Sequence, residues 1–87
     1  MNELVVISAV WCPSCLILNK NLKKISEENL NIKINKLDYD LDEDEVEEYN
    51  VGDKLPVVVF KKDNNEVNRL IGEKSYDELL TFIKENM

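Results

Sequence analysis

The sequence predicts an α/β domain in which a four-stranded mixed sheet carries helices on both faces. Apolar segments with strand character alternate with segments of helical period, in the order β-α-β-α-β-β-α. Only two glycines and two prolines occur among the 87 residues, so the connections between these elements must be short. A chain of this length has room for one domain, and we expect residues 1–87 to form a single unit.

The first half of the chain supplies a β-α-β unit. Residues 3–9 form a short apolar stretch rich in Val and Ile, which is typical of a central strand covered on both faces. Residues 14–28 follow a helical period, whose apolar stripe is Cys15, Leu18, Leu22 and Ile25. Asn29 and Asn31 mark the connection to a second strand, which contains Ile32, Ile34 and Leu37. A right-handed crossover would make the two strands parallel.

A short second helix and a loop follow. Residues 43–49 fit a helix that Asp42 or a neighbour caps, with Val46 and Tyr49 facing inward. Residues 50–55 read as a loop that ends at Pro56.

The last third of the chain predicts a hairpin and a final helix. Residues 57–60 form the clearest strand, 63–65 a turn and 66–71 a returning strand that ends at Gly72. Ser75 is the expected cap of the last helix. The predicted buried stripe of this helix is Tyr76, Leu79, Leu80, Ile83 and Met87.

The charge of the chain narrows the classes of partner. The formal net charge is −7, which argues against nucleic acids and anionic membrane surfaces. Eight of the 18 acids, and no base, lie between Asp38 and Glu48. We interpret this run as the solvated start of a helix, where carboxylates suit the helix dipole. A calcium loop does not fit, because the sixth position of such a loop would not be glycine.

The chemistry concentrates at Cys12-Pro13-Ser14-Cys15, which contains the only two cysteines. A C-x-x-C pair at the junction of a strand and a helix indicates a redox dithiol. The helix N-terminus would favour a thiolate at Cys12, Cys15 would lie one turn on, within disulfide range, and Pro13 suits the first helical turn. Two other readings remain: buried core thiols, or half of a zinc site. Zinc would require a second subunit, because the chain has no histidine and no third cysteine.

Several segments together resemble the thioredoxin-fold family. Trp11-Cys12-Pro13-Ser14-Cys15 resembles its W-C-x-x-C motif. Similarity to its middle and C-terminal regions is carried by Lys36-Leu37-Asp38, Tyr49-Asn50-Val51, Leu55-Pro56, Phe60-Lys61, Glu66-Val67, and Gly72 followed by Leu79. The match covers nearly the whole chain, without the extra N-terminal strand and helix of full thioredoxins. In length and topology the chain is closer to glutaredoxins and to short glutaredoxin-like thioredoxins.

The resemblance implies roles for individual residues. It implies that Pro56 has a cis peptide bond and faces the disulfide, and that Leu55 offers main-chain N–H and C=O groups to a substrate strand. Trp11 would contact a partner, pack against the fold, or do both. Val6 stands where thioredoxins carry a buried Asp, and Lys36 matches the lysine that accompanies this Asp.

The expected function is a thiol–disulfide oxidoreductase that reduces protein disulfides, in which Cys12 attacks the substrate and Cys15 resolves the mixed disulfide. We expect thioredoxin reductase as electron donor, rather than glutathione, and no bound cofactor or metal. Glutaredoxins usually have a basic residue, a Tyr and a Gly-Gly pair where this chain has Val10, Ser14 and Gly72.

The expected setting is a cytoplasmic monomer. No basic residue precedes the apolar residues 4–11, as a secretory signal would require. A glutathione-dependent reductase of the glutaredoxin type and a non-catalytic C-x-x-C metal-binding module are the alternative functions.

Overall fold

A computed structural model describes residues 1–28 and 30–87. Its strands and helices are, in order, β1 (Asn2–Ser8), α1 (Pro13–Ser26), β2 (Lys33–Asp38), α2 (Glu43–Glu47), β3 (Val57–Lys62), β4 (Asn65–Ile71) and α3 (Tyr76–Asn86). The strands form one sheet in the order β2-β1-β3-β4. β1 runs parallel to β2 and antiparallel to β3, and β3 and β4 form an antiparallel hairpin. The predicted element order and the mixed sheet are confirmed.

Strand β1 lies at the centre of the molecule. Leu4, Val5, Val6 and Ile7 are completely buried, because helices cover both faces of the sheet at this point. Successive side chains of a strand point to opposite faces. Leu4 and Val6 therefore join the core under α1 and α3, whereas Val5 and Ile7 join the core under α2.

The larger core lies between the sheet and the pair α1 and α3. Helix α1 contributes the complete predicted stripe, since Cys15, Leu18, Leu22 and Ile25 are all buried. Helix α3 contributes Leu79, Phe82 and Ile83. The ring of Phe82 meets that of Phe60 edge to face, with 6.2 Å between centroids.

The smaller core lies on the opposite face, under α2. Val46 is the buried residue of this short helix, and it packs with Leu37, Val57 and Val59. The half-buried side chains Tyr39, Tyr49, Val51 and Leu55 pack at its margin. The Tyr39 hydroxyl donates to the main-chain oxygen of Gly52 at 2.9 Å, which attaches the following loop to this face.

Of the two predicted helix caps, Ser75 makes the expected side-chain hydrogen bond and Asp42 does not. Ser75 caps α3 in a capping box: its Oγ accepts the Glu78 N–H at 3.2 Å, and the Glu78 carboxylate accepts the Ser75 N–H at 3.1 Å. These bonds hold the pKa of Glu78 below its usual range. Asp42 occupies the cap position of α2, but its side chain makes no capping bond. Its carboxylate instead accepts the Asp38 N–H at 2.8 Å, closing the turn after β2.

Some predicted boundaries and core positions are wrong. Helix α1 ends at Ser26, two residues early, and α2 ends at Glu47, so the inward-facing Tyr49 follows the helix. Met87 is 43% exposed, because it follows the last helical residue and lies beyond the face of α3 that packs on the sheet. Phe82 is buried in the same helix. The predicted connection at Asn29 falls outside the described residues.

Within residues 1–28 and 30–87, no helix has both the length and the apolar character needed to cross a bilayer.

We expect the substitution Leu22→Ala to lower the free energy of unfolding by about 2–5 kcal/mol, because it leaves a cavity under α1. The matched control is Leu16→Ala on the same helix, where the side chain is exposed. This control should change the free energy by less than about 0.5 kcal/mol. Urea denaturation measures both values, and equal losses would contradict the packing described for α1.

Candidate active site

The turn between β1 and α1 places both cysteines. The Cys12 N–H donates to the Ala9 carbonyl at 3.2 Å, which closes the turn after the buried strand. Cys12 has extended backbone angles (φ −99°, ψ 109°) and is the N-cap of α1. Pro13 follows in the first helical turn, where the missing N–H of proline costs no hydrogen bond.

The Cys12 sulfur receives a hydrogen bond from the helix it caps. The Cys15 N–H donates to Cys12 Sγ at 3.3 Å. The same N–H also donates to the Cys12 carbonyl oxygen at 3.1 Å. N–H groups in the first helical turn stabilise negative charge on a nearby sulfur. Cys12 is 7% exposed.

Cys15 has a different environment one turn later. It is fully buried, and both cysteines are free thiols. Burial, followed by the side-chain hydrogen bond with Cys12, raises the pKa of the Cys15 thiol to about 11. Of the two cysteines, Cys12 is the less buried.

The other wall of the site comes from the loop before β3. Leu55 and Tyr39 pack against the cluster formed by Ala9 and the two cysteines. The Leu55–Pro56 peptide bond is cis, the isomer implied by the family resemblance. Pro56 is buried, and its carbonyl accepts the Gly72 N–H at 2.8 Å. The end of β4 therefore borders the same loop.

Trp11 lies beside Cys12 and is 59% exposed. Its indole Nε1–H donates to Asp40 Oδ2 at 2.7 Å, and its ring meets that of Tyr39 edge to face. Sequence analysis missed Asp40 and gave Tyr39 no role. The parallel pairing of β1 and β2 places Ser8 opposite Asp38, so the residues that follow the two strands share one edge of the sheet. That topology was the available signal for the contact between Trp11 and Asp40.

The position of the family's buried acid is apolar in this chain. Val6 is fully buried in the larger core, and its register partner Lys36 is exposed. Among the residues the structure describes, no polar or charged residue is classed as buried. The described residues also contain no group of three His, Cys, Asp or Glu side chains placed to hold a metal ion.

Comparison with known proteins identifies the family. The family model for thioredoxin matches residues 1–85. This chain belongs to the thioredoxin family. Thioredoxin of Chlamydia trachomatis is 32% identical over 78 residues, which are 90% of this chain and 76% of that protein. Thioredoxin H-type of Fagopyrum esculentum is 32% identical over 80 residues, covering 90% of this chain and 67% of that protein.

Solved thioredoxin structures superpose over almost the whole chain. Fasciola hepatica thioredoxin gives a TM-score of 0.90 at 27% identity, covering 99% of this chain and 81% of that one. Mitochondrial thioredoxin 3 of Saccharomyces cerevisiae gives a TM-score of 0.87 at 25% identity, covering 97% of this chain and 77% of that one. As a member of this family, the chain is a thiol–disulfide oxidoreductase with its two cysteines in a C-x-x-C arrangement, and its substrates are proteins that contain disulfides.

We expect limiting iodoacetamide at neutral pH to label Cys12 and to spare Cys15. Alkylation requires the thiolate, and the raised pKa of Cys15 keeps that thiol protonated until the pH approaches 11. Both cysteines fall in the tryptic peptide 1–20, so tandem mass spectrometry of that peptide assigns the label. Unfolded protein is the control and should be labelled at both positions. Preferential labelling of Cys15 in the folded protein would contradict the assignment.

Proposed function

We propose that this member of the thioredoxin family reduces protein disulfides with Cys12 as the attacking thiol and Cys15 as the resolving thiol. One observation supports the order: Cys12 Sγ accepts a hydrogen bond at the start of α1, while Cys15 is buried and its pKa is raised to about 11. Both cysteines and the loop that faces them belong to one chain. A monomer of residues 1–87 is therefore sufficient for the reaction.

The reaction has two exchange steps. The Cys12 thiolate attacks one sulfur of the substrate disulfide; the substrate S–S bond breaks, and its other sulfur leaves as a thiolate that takes up a proton. Cys15 then loses its proton and attacks Cys12 Sγ in the mixed disulfide, releasing the second substrate sulfur. The substrate gains two electrons and two protons, and the Cys12–Cys15 pair becomes a disulfide.

The environment of Cys15 changes between these steps. Besides burial, its pKa is raised by the hydrogen bond and by the charge of Cys12. The charge contribution ends when Cys12 becomes part of a mixed disulfide, because that sulfur then carries no charge, while burial, the largest cause, remains. The pKa of Cys15 therefore falls when the resolving thiolate is needed. Formation of the mixed disulfide thus activates Cys15 in the absence of a buried acid at Val6.

Leu55 is the proposed contact for the main chain of the substrate. It packs on the cysteine cluster and precedes Pro56, which cannot donate a hydrogen bond. In the described part of the chain, its N–H and C=O make no main-chain hydrogen bond. An extended substrate segment could pair with these groups as an added strand. Exposed Trp11 and Pro13 would contact the side chains of that segment.

Thioredoxin reductase is the proposed electron donor, with glutathione as the alternative, and the cytoplasm is the proposed compartment. Family membership supports the reductase, and the reducing cytoplasm keeps such dithiols in the active form. Reduction of insulin disulfides tests the donor directly. We expect turnover with NADPH and thioredoxin reductase to exceed turnover with glutathione and glutathione reductase. The reverse ranking would replace the proposed donor with glutathione.

We expect Cys15→Ser to accumulate mixed disulfides with a disulfide-bonded protein such as insulin, whereas Cys12→Ser should form none. Serine keeps the size and polarity of the side chain but cannot attack sulfur, so the adduct persists until an external thiol cleaves it. Non-reducing electrophoresis and intact-mass measurement detect the adduct, and dithiothreitol should remove it.

The Cys12→Ser protein is the matched control, because it retains the buried thiol alone. Adducts with Cys12→Ser would reverse the proposed roles. If Cys15→Ser instead keeps near-full activity with glutathione and traps nothing, a glutaredoxin-type mechanism replaces the dithiol mechanism.

A further inference from the structure

The acidic segment, residues 38–48, is only partly explained by the fold. Asp38 Oδ1 accepts the main-chain N–H groups of Asp40 and Leu41 at 2.9 and 3.0 Å, and Asp42 accepts the Asp38 N–H. Asp40 accepts the indole N–H of Trp11. These three acids therefore shape the turn after β2 and attach it to the active site.

The other five acids of the segment make no comparable contacts within the described residues. Glu43, Asp44, Glu45, Glu47 and Glu48 are exposed, and none makes a side-chain hydrogen bond or salt bridge within the described residues. The helix dipole favours the three acids in the first turn of α2 but opposes the two at its end. Like charges four residues apart also repel, as for Glu43 with Glu47. The stability of this short helix therefore does not account for the charge.

Exposed apolar side chains lie in the two segments that the Trp11–Asp40 hydrogen bond joins. Val10 is 79% exposed and Trp11 59% exposed, both immediately before Cys12. Leu41 is 83% exposed and lies between Asp40 and Asp42. The bond from Trp11 to Asp40 joins the two segments into one surface. Together with the acids of α2, these residues form what we term the acidic rim of the active site.

We propose that the acidic rim docks proteins whose reducible disulfide is flanked by an apolar residue and by lysine or arginine. This inference rests on the proposed function, because the docked disulfide is the one that Cys12 reduces. The apolar residue would cover Trp11 and Leu41, and the cationic side chains would pair with the exposed acids of α2. The exchange delivers two electrons from the dithiol to the partner disulfide, as described above.

Charge complementarity supports this partner over others. The acidic segment carries eight acids, while the remainder of the chain carries ten acids and eleven bases. The negative charge is therefore concentrated in the segment that the Trp11–Asp40 bond joins to the residue before Cys12, and such charge steers cationic partners during encounter. A second copy of this chain, at a net charge of −7, would be repelled from the same surface.

Two synthetic peptides test the preference. Each contains one disulfide-closed loop with a leucine beside a half-cystine; one has lysines flanking the loop, and the other has glutamates. Pre-reduced protein is mixed with excess oxidised peptide, quenched with acid, and the released peptide thiols are quantified. At low ionic strength we expect the lysine peptide to react roughly tenfold faster than the glutamate peptide. At about 1 M salt, where screening acts over about 3 Å, the two rates should converge.

Two triple variants locate the effect. The rim variant is Glu43→Gln/Asp44→Asn/Glu45→Gln, and the control is Glu27→Gln/Asp77→Asn/Glu85→Gln, three exposed acids associated with α1 and α3 on the opposite face of the sheet. Both change the net charge equally. Reaction with hydroxyethyl disulfide, small and uncharged, reports the reactivity of the dithiol itself. We therefore divide the rate with the lysine peptide by the rate with hydroxyethyl disulfide. This ratio should fall roughly tenfold in the rim variant and stay at the wild-type value in the control.

Each outcome bears on a separate claim. Equal rates for the two peptides at low salt, or equal loss in both triple variants, would overturn the docking proposal. The wild-type salt series remains decisive if the rim variant does not fold. Failure to react with both peptides and with hydroxyethyl disulfide would instead contradict the proposed function. Leu41→Ser tests the apolar part separately: if the rate with the lysine peptide, divided by the rate with hydroxyethyl disulfide, is unchanged in this variant, the apolar part of the proposal is wrong and its charge part stands.

Discussion

The complete burial of strand β1 is the constraint on which the rest of the structure depends. Residues 4–7 are buried on both faces of the sheet and paired on both edges, which fixes the position and direction of the strand. The chain can leave β1 only at the edge where β2 also ends, and the Cys12 N–H to Ala9 bond turns it directly into α1. Cys12, Trp11 and Asp40 thereby meet at one edge of the sheet.

From this one turn, the two cysteines acquire different chemistry. Cys12 precedes the helix, is 7% exposed, and its sulfur accepts a hydrogen bond from a main-chain N–H. Cys15 lies in the first turn of the helix and is fully buried. The two sulfurs, three residues apart, thus differ in burial, and burial is the largest cause that raises the pKa of Cys15 to about 11. The proposed order of the exchange steps is derived from that asymmetry, and buried Val6 occupies the place of the family's buried carboxylate.

Most of the fold and the reactive pair could be predicted from the sequence, because both depend on local patterns. The apolar run of β1, the stripe of α1 and the C-x-x-C spacing each have one dominant physical interpretation. The contact of Trp11 with Asp40 could not be predicted from spacing, because the two residues are 29 positions apart and meet only through strand pairing. The exposure of Met87 could not be predicted either, because helical periodicity does not show at which residue a helix stops packing on the sheet.

The most direct test of the account is a pH titration of the Cys15 Cβ chemical shift in the reduced protein, labelled with ¹³C at cysteine. Assignment uses the Cys12→Ser and Cys15→Ser variants. If burial and the hydrogen bond with Cys12 control this thiol, its resonance should stay in the protonated position through neutral pH and titrate with a midpoint near 11. Ionisation of Cys15 close to neutral pH would contradict the asymmetry from which the proposed order of attack and resolution is derived.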